Sequence, residues 1–445
     1  MCKARGVPPE RPATAANDRL SVGFDATPLL GSPTGVGVFC AGALAGLAER
    51  GDLRLSAFAV SWRRRQGIDG RVPVGVSTVQ RPMPARPLHA AWSHLSVPPL
   101  EWFVGDVDVV HGSNFVVPPT RHAARVVTVH DLTVSLYPEL CDGPTLAYPR
   151  LIRRAVAEGA WVHTPSAYVA AEVVAELGVD PARVRAVHHG VPRLPGPAGP
   201  TPVSQVGAGG ARGPVTLPPG CGRYVLAVGT VEPRKDYPLL VRSFAAVAAA
   251  HPDVALVVVG GDGWGSEAFA AAVVASAVRE RIVRPGYLDD AGLGAALRGA
   301  AVLAYPSKYE GFGFPPLQAM AEGVPVVATA GGAVPEVVGD GAWLVDPGDA
   351  DALSERLVRA LDGGEDVDAL VARGRLRSAG FSWDRCADGL AALYRDAAAD
   401  RAPSGRRAGG RAGGRVQGRG RMRGQGRGQV RGQAESRAQG GDGAS

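Results

Sequence analysis

Short apolar runs alternate with longer helical stretches along most of this chain, and this alternation constrains its fold more than any other feature. In the second half, the runs "YVLAVGT", "VALVVVGG" and "AVLAYPS" are separated by stretches such as "YPLLVRSFAAVAAAHP". The first half repeats the pattern with "RLSVGFDATPLL", "RLSAFAVSW", "DVDVVHGSNF" and "ARVVTVHDLT". Fully apolar strands that alternate with helices are typical of parallel sheets with right-handed crossovers. The sequence therefore predicts an α/β fold with two Rossmann-like, doubly wound parallel-sheet domains that face a central cleft.

Proline and glycine mark the boundaries of the predicted elements and domains. "AYVAAEVVAELG" predicts a helix that stops at Gly178. Residues 191–222 are rich in both residue types and predict a linker between an N-terminal domain, residues 19–190, and a C-terminal domain, residues 223–400. Residues 1–18 and the Arg/Gly-rich residues 401–445 hold too little apolar surface to fold, and both are predicted to be disordered.

The basic character of the chain belongs to its C-terminal tail. The whole chain has a net charge of +6, but eleven arginines face Glu435 and Asp442 from residue 401 onward, which gives the tail +9 and leaves −3 for the rest. The five cysteines are scattered without a CxxC pair, which favours reduced thiols. With neither an apolar leader nor a run of about 18 apolar residues, we expect a cytoplasmic protein whose membrane contact would be peripheral, on the inner face of the membrane.

The segment "YEGFGFPPLQAM", residues 309–320, combines a strand end, two glycines and the start of a helix near Pro315. Unpaired amides at such a helix start carry the positive end of the helix dipole and form an anion site. Gly311 and Gly313 would let the backbone approach a phosphate. Glu310 would repel phosphate and is therefore predicted to accept hydrogen bonds from hydroxyl groups, as is Gln318 one turn into the helix. Phosphate together with hydroxyls indicates a nucleotide sugar, whereas a solvated capping loop is the alternative.

Three further strand ends supply candidate ligand-binding residues. Arg234 and Lys235 follow the first strand of the second half, and an arginine with a lysine suits a leaving diphosphate unless the pair forms a solvated turn. "TGVGVF" places Gly35 and Gly37 at the matching edge of the first half, where they form either ligand contacts or a tight turn. His130 ends another strand, where it could contact the transferred group or belong to the core.

Two other segments allow more than one interpretation. "LDDAG", residues 288–292, predicts a helix cap at Asp289 and Asp290 in preference to a metal site. "WSHLSVPPLEWF", residues 92–103, predicts either core packing or an apolar lip for a lipid-linked acceptor.

The motifs together resemble the retaining nucleotide-sugar glycosyltransferases of family four, which have the GT-B architecture. The resemblance covers residues 20–395 except for the linker, and it rests on motifs in the expected order: "FDATPLLGSPTGVGVF", "VVHGSNFVVPP", "VTVHDLT", "VGTVEPRKDYPLL", "GGDGWG", "YPSKYEGFGFPPLQAMAEGVPVVAT" and "GGAVPEVVGDGAWLVDPGD". "EPRK" and "VHDLT" are most similar to the mannosyltransferase-like branch, which implies GDP-mannose as the donor.

The resemblance implies a role for each matching donor-side residue. Glu310 and Gln318 fall on the family's E-x7-E motif, which implies contacts with the donor sugar and the ribose. The amides of Gly311, Phe312 and Gly313 would hold sugar or phosphate oxygens. Because Gln318 replaces a glutamate, about 1 kcal/mol of donor affinity would be lost.

The remaining matches concern the phosphate, the base and the sugar. Lys235 matches the family's phosphate-binding lysine. The position of the family's arginine is occupied by Thr230 in this chain, and Arg234 is expected to take over its role. His130 matches a histidine near the sugar C6 hydroxyl, and Gly286 lies in "VRPGY", which would line the base pocket.

The function expected from the sequence is therefore transfer of a hexosyl group from a nucleotide sugar to a glycan or lipid-linked acceptor. The resemblance implies front-face displacement with retention, and we expect neither a metal nor another cofactor. Two alternatives remain open: a sugar-nucleotide epimerase or other GT-B enzyme, and a nucleic-acid-binding protein that uses the Arg/Gly tail. The tail lacks aromatic stacking residues, so nucleic acid would bind it only electrostatically.

Overall fold

The computed structural model describes residues 19–31, 34–62, 65–141, 145–196 and 215–401. The predicted disordered segments at residues 1–18 and 401–445 lie outside the described residues except for Arg401, which ends a helix, and most of the predicted linker lies outside them as well.

The first half contains a seven-stranded sheet in which all strands are parallel. The strand order is β3-β2-β1-β4-β5-β6-β7. The strands are β1 Leu20–Asp25, β2 Leu53–Phe58, β3 Ser77–Thr78, β4 Val109–Gly112, β5 Ala124–Thr128, β6 Trp161–Thr164 and β7 Val184–Ala186. β4, β5 and β6 are buried along their whole length, as expected for a sheet covered by helices on both faces.

Six α-helices among the described residues accompany this sheet: α1 Gly35–Glu49, α2 Ala85–His94, α3 Glu101–Val104, α4 Thr133–Leu136, α5 Tyr148–Ala157 and α6 Ala167–Leu177. Both ends of α6 are set by residues whose role can be recognised in the sequence. The Ser166 hydroxyl accepts a hydrogen bond from the Val169 amide at its start, and Gly178 adopts a left-handed conformation with φ 65° at its end. The glycine stop predicted at Gly178 is therefore confirmed.

The second half contains a six-stranded parallel sheet with the order β10-β9-β8-β11-β12-β13. Its strands are β8 Arg223–Val228, β9 Val254–Val259, β10 Ile282–Gly286, β11 Val302–Tyr305, β12 Val326–Thr329 and β13 Trp343–Val345. Its helices are α7 Tyr237–Ala250, α8 Ser266–Ala275, α9 Asp290–Gly299, α10 Phe314–Glu322, α11 Val334–Val338, α12 Ala350–Asp362 and α13 Glu365–Ala379. The strand order reverses between β8 and β11, and ligands of such sheets bind beyond the carboxyl ends of the strands at this switch point. The predicted pair of Rossmann-like parallel-sheet domains is confirmed.

The last helix, α14 Trp383–Arg401, returns to the first half. Its buried side chains, among them Leu390 and Tyr394, belong to the same apolar core as Phe24 and Phe39. The Tyr394 hydroxyl is 2.6 Å from His111 Nδ1. The boundary at residue 400 predicted from sequence assigns this helix to the second half, whereas it packs against the first.

The chain thus crosses between the halves twice, and the two crossings lie side by side. The Val191 amide in the first crossing donates a hydrogen bond of 3.1 Å to the Phe381 carbonyl in the second. A Cβ atom on Gly190 would lie only 2.5 Å from the Trp383 nitrogen, so glycine is required at this approach.

Close packing between α1 and α14 leads to a stability prediction. A methyl group on Gly46 of α1 would lie 2.7 Å from the Trp383 carbonyl oxygen and 3.1 Å from Ala387 Cβ. Helix propensity alone would make Gly46→Ala stabilising by up to about 1 kcal/mol, but overpacking of this kind costs roughly 1–3 kcal/mol. We therefore expect Gly46→Ala to lower the midpoint of thermal unfolding. Ala41→Val, on the exposed face of the same helix, is the control, and an unchanged or raised midpoint for Gly46→Ala would contradict the observed packing.

Candidate functional site

Glu310 lies between two cations at the carboxyl edge of the second sheet. Its Oε1 is 2.5 Å from Lys235 Nζ and its Oε2 is 2.7 Å from Arg234 Nη1. Glu310 and Lys235 are each only 7% exposed. The structure therefore brings together three residues that the sequence assigned to one site, and it places Glu310 in a buried ion triad instead of in solvent.

The ion triad keeps Glu310 charged. Burial alone would raise the pKa of this carboxyl, but the nearby charges of Arg234 and Lys235 outweigh burial and lower its pKa to about 2. Burial lowers the pKa of Lys235, against an opposing effect of Glu310. Burial also opposes the charge of Arg234, but Glu310 and Glu232 together raise its pKa well above the ordinary value. The site thus presents a fixed carboxylate and a permanently charged guanidinium.

Helix α10 begins beside this triad without a cap of its own. Gly313 precedes it with a φ of 116°, and prolines occupy its first turn. The amides of Phe312, Gly313 and Phe314 have no hydrogen-bond acceptor among the residues that the structure describes. These are the groups that attract anions at a helix start.

The Tyr305 side chain connects the helix start to the triad. Its hydroxyl accepts a hydrogen bond of 3.0 Å from Lys235 Nζ. A Cβ atom on Gly313 would lie 3.9 Å from its ring. Sequence reasoning did not single out Tyr305, although its place at the end of β11 was a usable signal.

The turn after β8 positions Lys235 in the site. Gly229 follows this strand with a φ of 148°, and a Cβ atom there would lie 3.1 Å from Lys235 Cε. A side chain on residue 229 would therefore displace the lysine. Thr230, the next residue, is exposed at the same edge, and its carbonyl accepts a hydrogen bond from the Glu232 amide.

The backbone of the first half meets this edge at Gly311. A Cβ atom on Gly311 would lie 1.9 Å from the His130 carbonyl oxygen, so only glycine fits. The close neighbour of Gly311 is thus a peptide group of the opposite half, and the predicted contact of its backbone with a phosphate stays a prediction. His130 Nε2 donates a hydrogen bond of 2.8 Å to the Ser113 carbonyl, and burial lowers its pKa, so the imidazole is neutral at pH 7.

Gly35 and Gly37 lie in the first turn of α1, and Gly35 faces α10. A Cβ atom on Gly35 would lie 3.7 Å from the Phe314 ring. The Gly37 amide donates to the Thr34 hydroxyl at 3.3 Å, which caps α1 within the protein. Gly35 is therefore at the cleft, whereas the amide of Gly37 serves its own helix.

Gln318 and Gly286 lie further along the same edge. Gln318 is 7% exposed in α10. Gly286 ends β10 with a φ of 81°, and its carbonyl accepts a hydrogen bond of 2.9 Å from the Gly260 amide. β10 is separated from β8 by β9, so Gly286 lies two strands away from the turn that carries Arg234 and Lys235.

An open pocket adjoins the triad and is lined by both halves. Asp131 and Thr133 line it from the first half, and Glu232, Arg234 and Trp264 from the second. Sequence reasoning missed Glu232 and Trp264. The glycine-rich "GGDGWG" after β9 was the signal for Trp264, which is 56% exposed.

His189 is another residue that sequence reasoning missed. It is 2% exposed, and its ring lies 4.4 Å from the Phe39 ring and 5.6 Å from the Phe314 ring, between centroids. Burial lowers its pKa well below the ordinary value, and its Nδ1 has no hydrogen-bond partner among the described residues. The pair "HH" just before the linker was the available signal.

Direct contacts hold the two halves together around the site. The Glu336 carboxylate of α11 accepts hydrogen bonds from the Ala167 and Tyr168 amides, both 2.8 Å, and so caps α6 of the first half. Its Oε1 is also 2.7 Å from His188 Nε2. The Tyr309 hydroxyl donates to Glu172 of α6 at 2.5 Å. The cleft is therefore bounded by fixed contacts between its walls.

The predicted helix cap at Asp289 is confirmed, because its Oδ1 accepts a hydrogen bond of 2.8 Å from the Gly292 amide at the start of α9. Within the described ranges, no three side chains of His, Cys, Asp or Glu are grouped so as to hold a metal ion. None of the described helices is long and apolar enough to span a membrane.

Comparisons with known proteins agree with this geometry. Two family models match, "Glycosyltransferase Family 4" over residues 33–193 and "Glycosyl transferases group 1" over residues 215–377. The O-antigen chain mannosyltransferase B of Escherichia coli is 29% identical over 286 residues, which cover 62% of this chain and 71% of that protein. The D-inositol 3-phosphate glycosyltransferase of Segniliparus rotundus is 30% identical over 324 residues, 69% of this chain and 68% of that protein. The fold of sucrose-phosphate synthase from Thermosynechococcus elongatus matches with a TM-score of 0.64 at 21% identity, covering 86% of this chain and all of the other.

The ion triad leads to a prediction about pH. Because the folded-state pKa of Glu310 is about 2, below the unfolded value of about 4.3, its stabilisation is present above the unfolded pKa and lost as pH falls toward 2. Glu310→Gln leaves two buried cations without their partner, which typically costs roughly 3–5 kcal/mol. We expect a lowered thermal midpoint whose difference from the native protein is constant between about pH 5 and 8 and shrinks below about pH 4.

The control for this prediction is Glu232→Gln, which removes a more exposed carboxylate bonded to the same Arg234. It should cost no more than about 1 kcal/mol. Equal losses for the two variants would show that the buried position of Glu310 is not what stabilises the triad.

Proposed function

Because this chain belongs to the family-four, group 1 glycosyltransferases with the GT-B fold, we propose that it is a retaining, metal-independent mannosyltransferase. It would transfer mannose from GDP-mannose to an acceptor hydroxyl in glycan or glycolipid assembly. The observation that carries this proposal is the Glu310 ion triad beside the uncapped start of α10.

The donor diphosphate would lie against the amides of Phe312, Gly313 and Phe314, with Arg234 and Lys235 beside it. Lysine has three N–H donors, so Lys235 could bind a phosphate oxygen and keep Glu310 in place. Glu310 would then direct its carboxylate at sugar hydroxyls. Fixed positive groups of this kind stabilise the negative charge that develops on a leaving group, and this stabilisation is often the main source of an enzyme's rate enhancement.

In the proposed reaction, the bond between the sugar C1 and the diphosphate oxygen breaks, and a bond from the acceptor oxygen to C1 forms on the same face. The acceptor proton passes to an oxygen of the departing diphosphate. Arg234, Lys235 and the helix amides take the electrostatic role that a divalent cation has in other transferases, and this supports the proposal of metal independence.

The acceptor would enter the pocket between the halves, where Asp131 and Glu232 offer carboxylate oxygens to hydroxyl groups. The two relatives differ in what their names specify: one is an O-antigen chain mannosyltransferase, and the other a D-inositol 3-phosphate glycosyltransferase, whose name gives no sugar. Mannose therefore rests on the resemblance to the mannosyltransferase-like branch, and the acceptor class rests on the relatives' names.

The test is a donor screen by thermal shift with GDP-, UDP-, ADP- and dTDP-sugars, followed by transfer assays with and without EDTA. We expect stabilisation by GDP-mannose, activity that survives EDTA and an α-linked product from an α-linked donor by NMR. Lys235→Met should lower kcat by roughly 100-fold or more. Lys308→Met, which removes a half-exposed lysine bonded to Asp236, should leave kcat within about threefold.

Several outcomes would overturn parts of the proposal. Full activity in Lys235→Met would remove the phosphate role of this lysine, and inversion of the product anomer would remove the retaining mechanism. Conversion of the donor without any acceptor to an epimerised sugar would favour the epimerase alternative.

Gln318 gives a separate prediction. If it holds the ribose hydroxyls, Gln318→Glu replaces a neutral hydrogen bond with a charge-assisted one worth about 1 kcal/mol more. We expect KM for the donor to fall about fivefold with kcat unchanged, measured by steady-state kinetics. Gln318→Met, of similar size but unable to hydrogen-bond, should raise KM, and an unchanged KM in both variants would place the ribose elsewhere.

A further inference from the structure

We infer that the acceptor is an uncharged sugar ring, which Trp264 binds by stacking and which Asp131 and Glu232 select against phosphorylated acceptors. This inference rests on the proposed function, because it concerns the second substrate of the same site. It goes further by giving the acceptor a chemical class. It also makes Trp264 and the two carboxylates the specificity-determining residues of the open pocket beside the triad.

Trp264 is held in place by its neighbours, although its own side chain is 56% exposed where it lines the pocket. The Gly265 amide donates a hydrogen bond of 3.0 Å to the Val231 carbonyl, and a Cβ atom on Gly263 would lie 2.7 Å from the same oxygen. Both neighbours of Trp264 thus pack against the backbone that leads into Glu232. A single exposed tryptophan is ordinary, but a fixed one that lines a pocket offers a stacking surface to a ligand.

Aromatic side chains also line the pocket from the first half. The Phe115 ring stacks on the Tyr148 ring, with 4.8 Å between centroids and 7° between planes. Phe115 has a φ of 59°, an uncommon value for a residue other than glycine. Backbone strain of this kind persists only where the surrounding structure imposes it, and it is concentrated at functional sites. Both halves therefore give the pocket aromatic surface, which suits the apolar C–H face of a sugar ring.

The charged groups of the pocket favour hydroxyls over anions. Among the described residues that line it, Asp131 and Glu232 carry negative charge and Arg234 carries positive charge. Arg234 is already engaged, since its Nε is 2.9 Å from Glu232 Oε2 and its Nη1 is 2.7 Å from Glu310 Oε2. A phosphate on the acceptor would therefore meet two carboxylates and only a cation that is already paired, and such like-charge contacts are strongly unfavourable.

Each of the two carboxylates keeps one oxygen for a hydroxyl group. Asp131 Oδ1 accepts a hydrogen bond of 3.0 Å from the Thr133 amide, and Glu232 Oε2 accepts one of 2.9 Å from Arg234. The other oxygen of each accepts no hydrogen bond from the described part of the chain. Hydroxyl groups form strong hydrogen bonds with charged acceptors. A sugar ring matches both the rings and the carboxylates, whereas an aromatic acceptor would leave the carboxylates without donors.

Trp102 is the matched control for Trp264. It is 55% exposed, but it lies in α3 just before β4 and therefore at the amino edge of the first sheet. Trp92 is buried, and its Nε1 donates a hydrogen bond to the Pro98 carbonyl. Neither tryptophan lines the pocket. Of the two interpretations of residues 92–103, core packing is therefore confirmed for Trp92, and an apolar lip at this pocket is wrong.

The test measures kcat/KM for acceptors with the full-length protein and the donor that the thermal-shift screen selects. The acceptors are octyl glycosides of mannose, glucose and galactose, each paired with its 6-phosphate. We expect kcat/KM to be at least roughly tenfold higher for the neutral member of a pair. Trp264→Ala should raise the acceptor KM roughly tenfold with the donor KM unchanged, and Trp264→Phe should keep most of the affinity. Trp102→Ala should behave like the native protein.

A charge variant separates selection of the acceptor from a structural role. Asp131→Asn keeps Oδ1 for the Thr133 amide but removes the negative charge. It should therefore reduce the preference for the neutral acceptor by about threefold or more. An unchanged preference in Asp131→Asn, or a native acceptor KM in Trp264→Ala, would overturn the inference.

Donor thermal shift and donor hydrolysis without acceptor report on the proposed function separately. If the donor binds and is hydrolysed but the phosphorylated acceptors are preferred, or no glycoside is used, the inference fails and the proposed function stands. If no nucleotide sugar binds or is turned over, the proposed function fails and the inference fails with it.

Discussion

The organisation of the site depends on one carboxylate held between two cations away from water. Glu310 joins the end of β11 to the turn after β8 through Lys235 and Arg234. Burial makes each unpaired charge costly, so the three groups stabilise one another and fix the strand ends relative to each other. The same arrangement sets positive charge beside the open amides of α10, where a diphosphate would gain from both.

A second constraint is the close approach of the two backbones at Gly311. No side chain fits between its Cα and the His130 carbonyl, so the walls of the cleft touch at that point. Glu336 and Tyr309 add polar contacts on either side. The ligand pocket is thus defined by where the halves meet as much as by the side chains that line it.

The sequence was sufficient for much of the fold because fully apolar strands and glycine-punctuated turns are local signals. It also placed Glu310, Arg234 and Lys235 at one edge, since carboxyl ends of parallel strands lie together. It could not place α14, because the apolar face of that helix indicates burial without specifying against which sheet. It likewise missed Tyr305 and His189, whose contacts with Lys235 and with Phe39 join residues distant in sequence. The need for glycine at 311 could be predicted, but not that the His130 carbonyl lies against it.

The adjacent crossings at Val191 and Phe381 restrict how the halves can move. Two domains joined by a single chain segment could rotate about that segment in any direction. Here two chain segments are hydrogen-bonded to each other and packed at Gly190 against Trp383. Two adjacent connections restrict relative motion of the halves to rotation about one axis. If the cleft widens, the halves would therefore rotate about the paired segments at Val191 and Phe381. The largest displacement would be at the end of the cleft farthest from these segments.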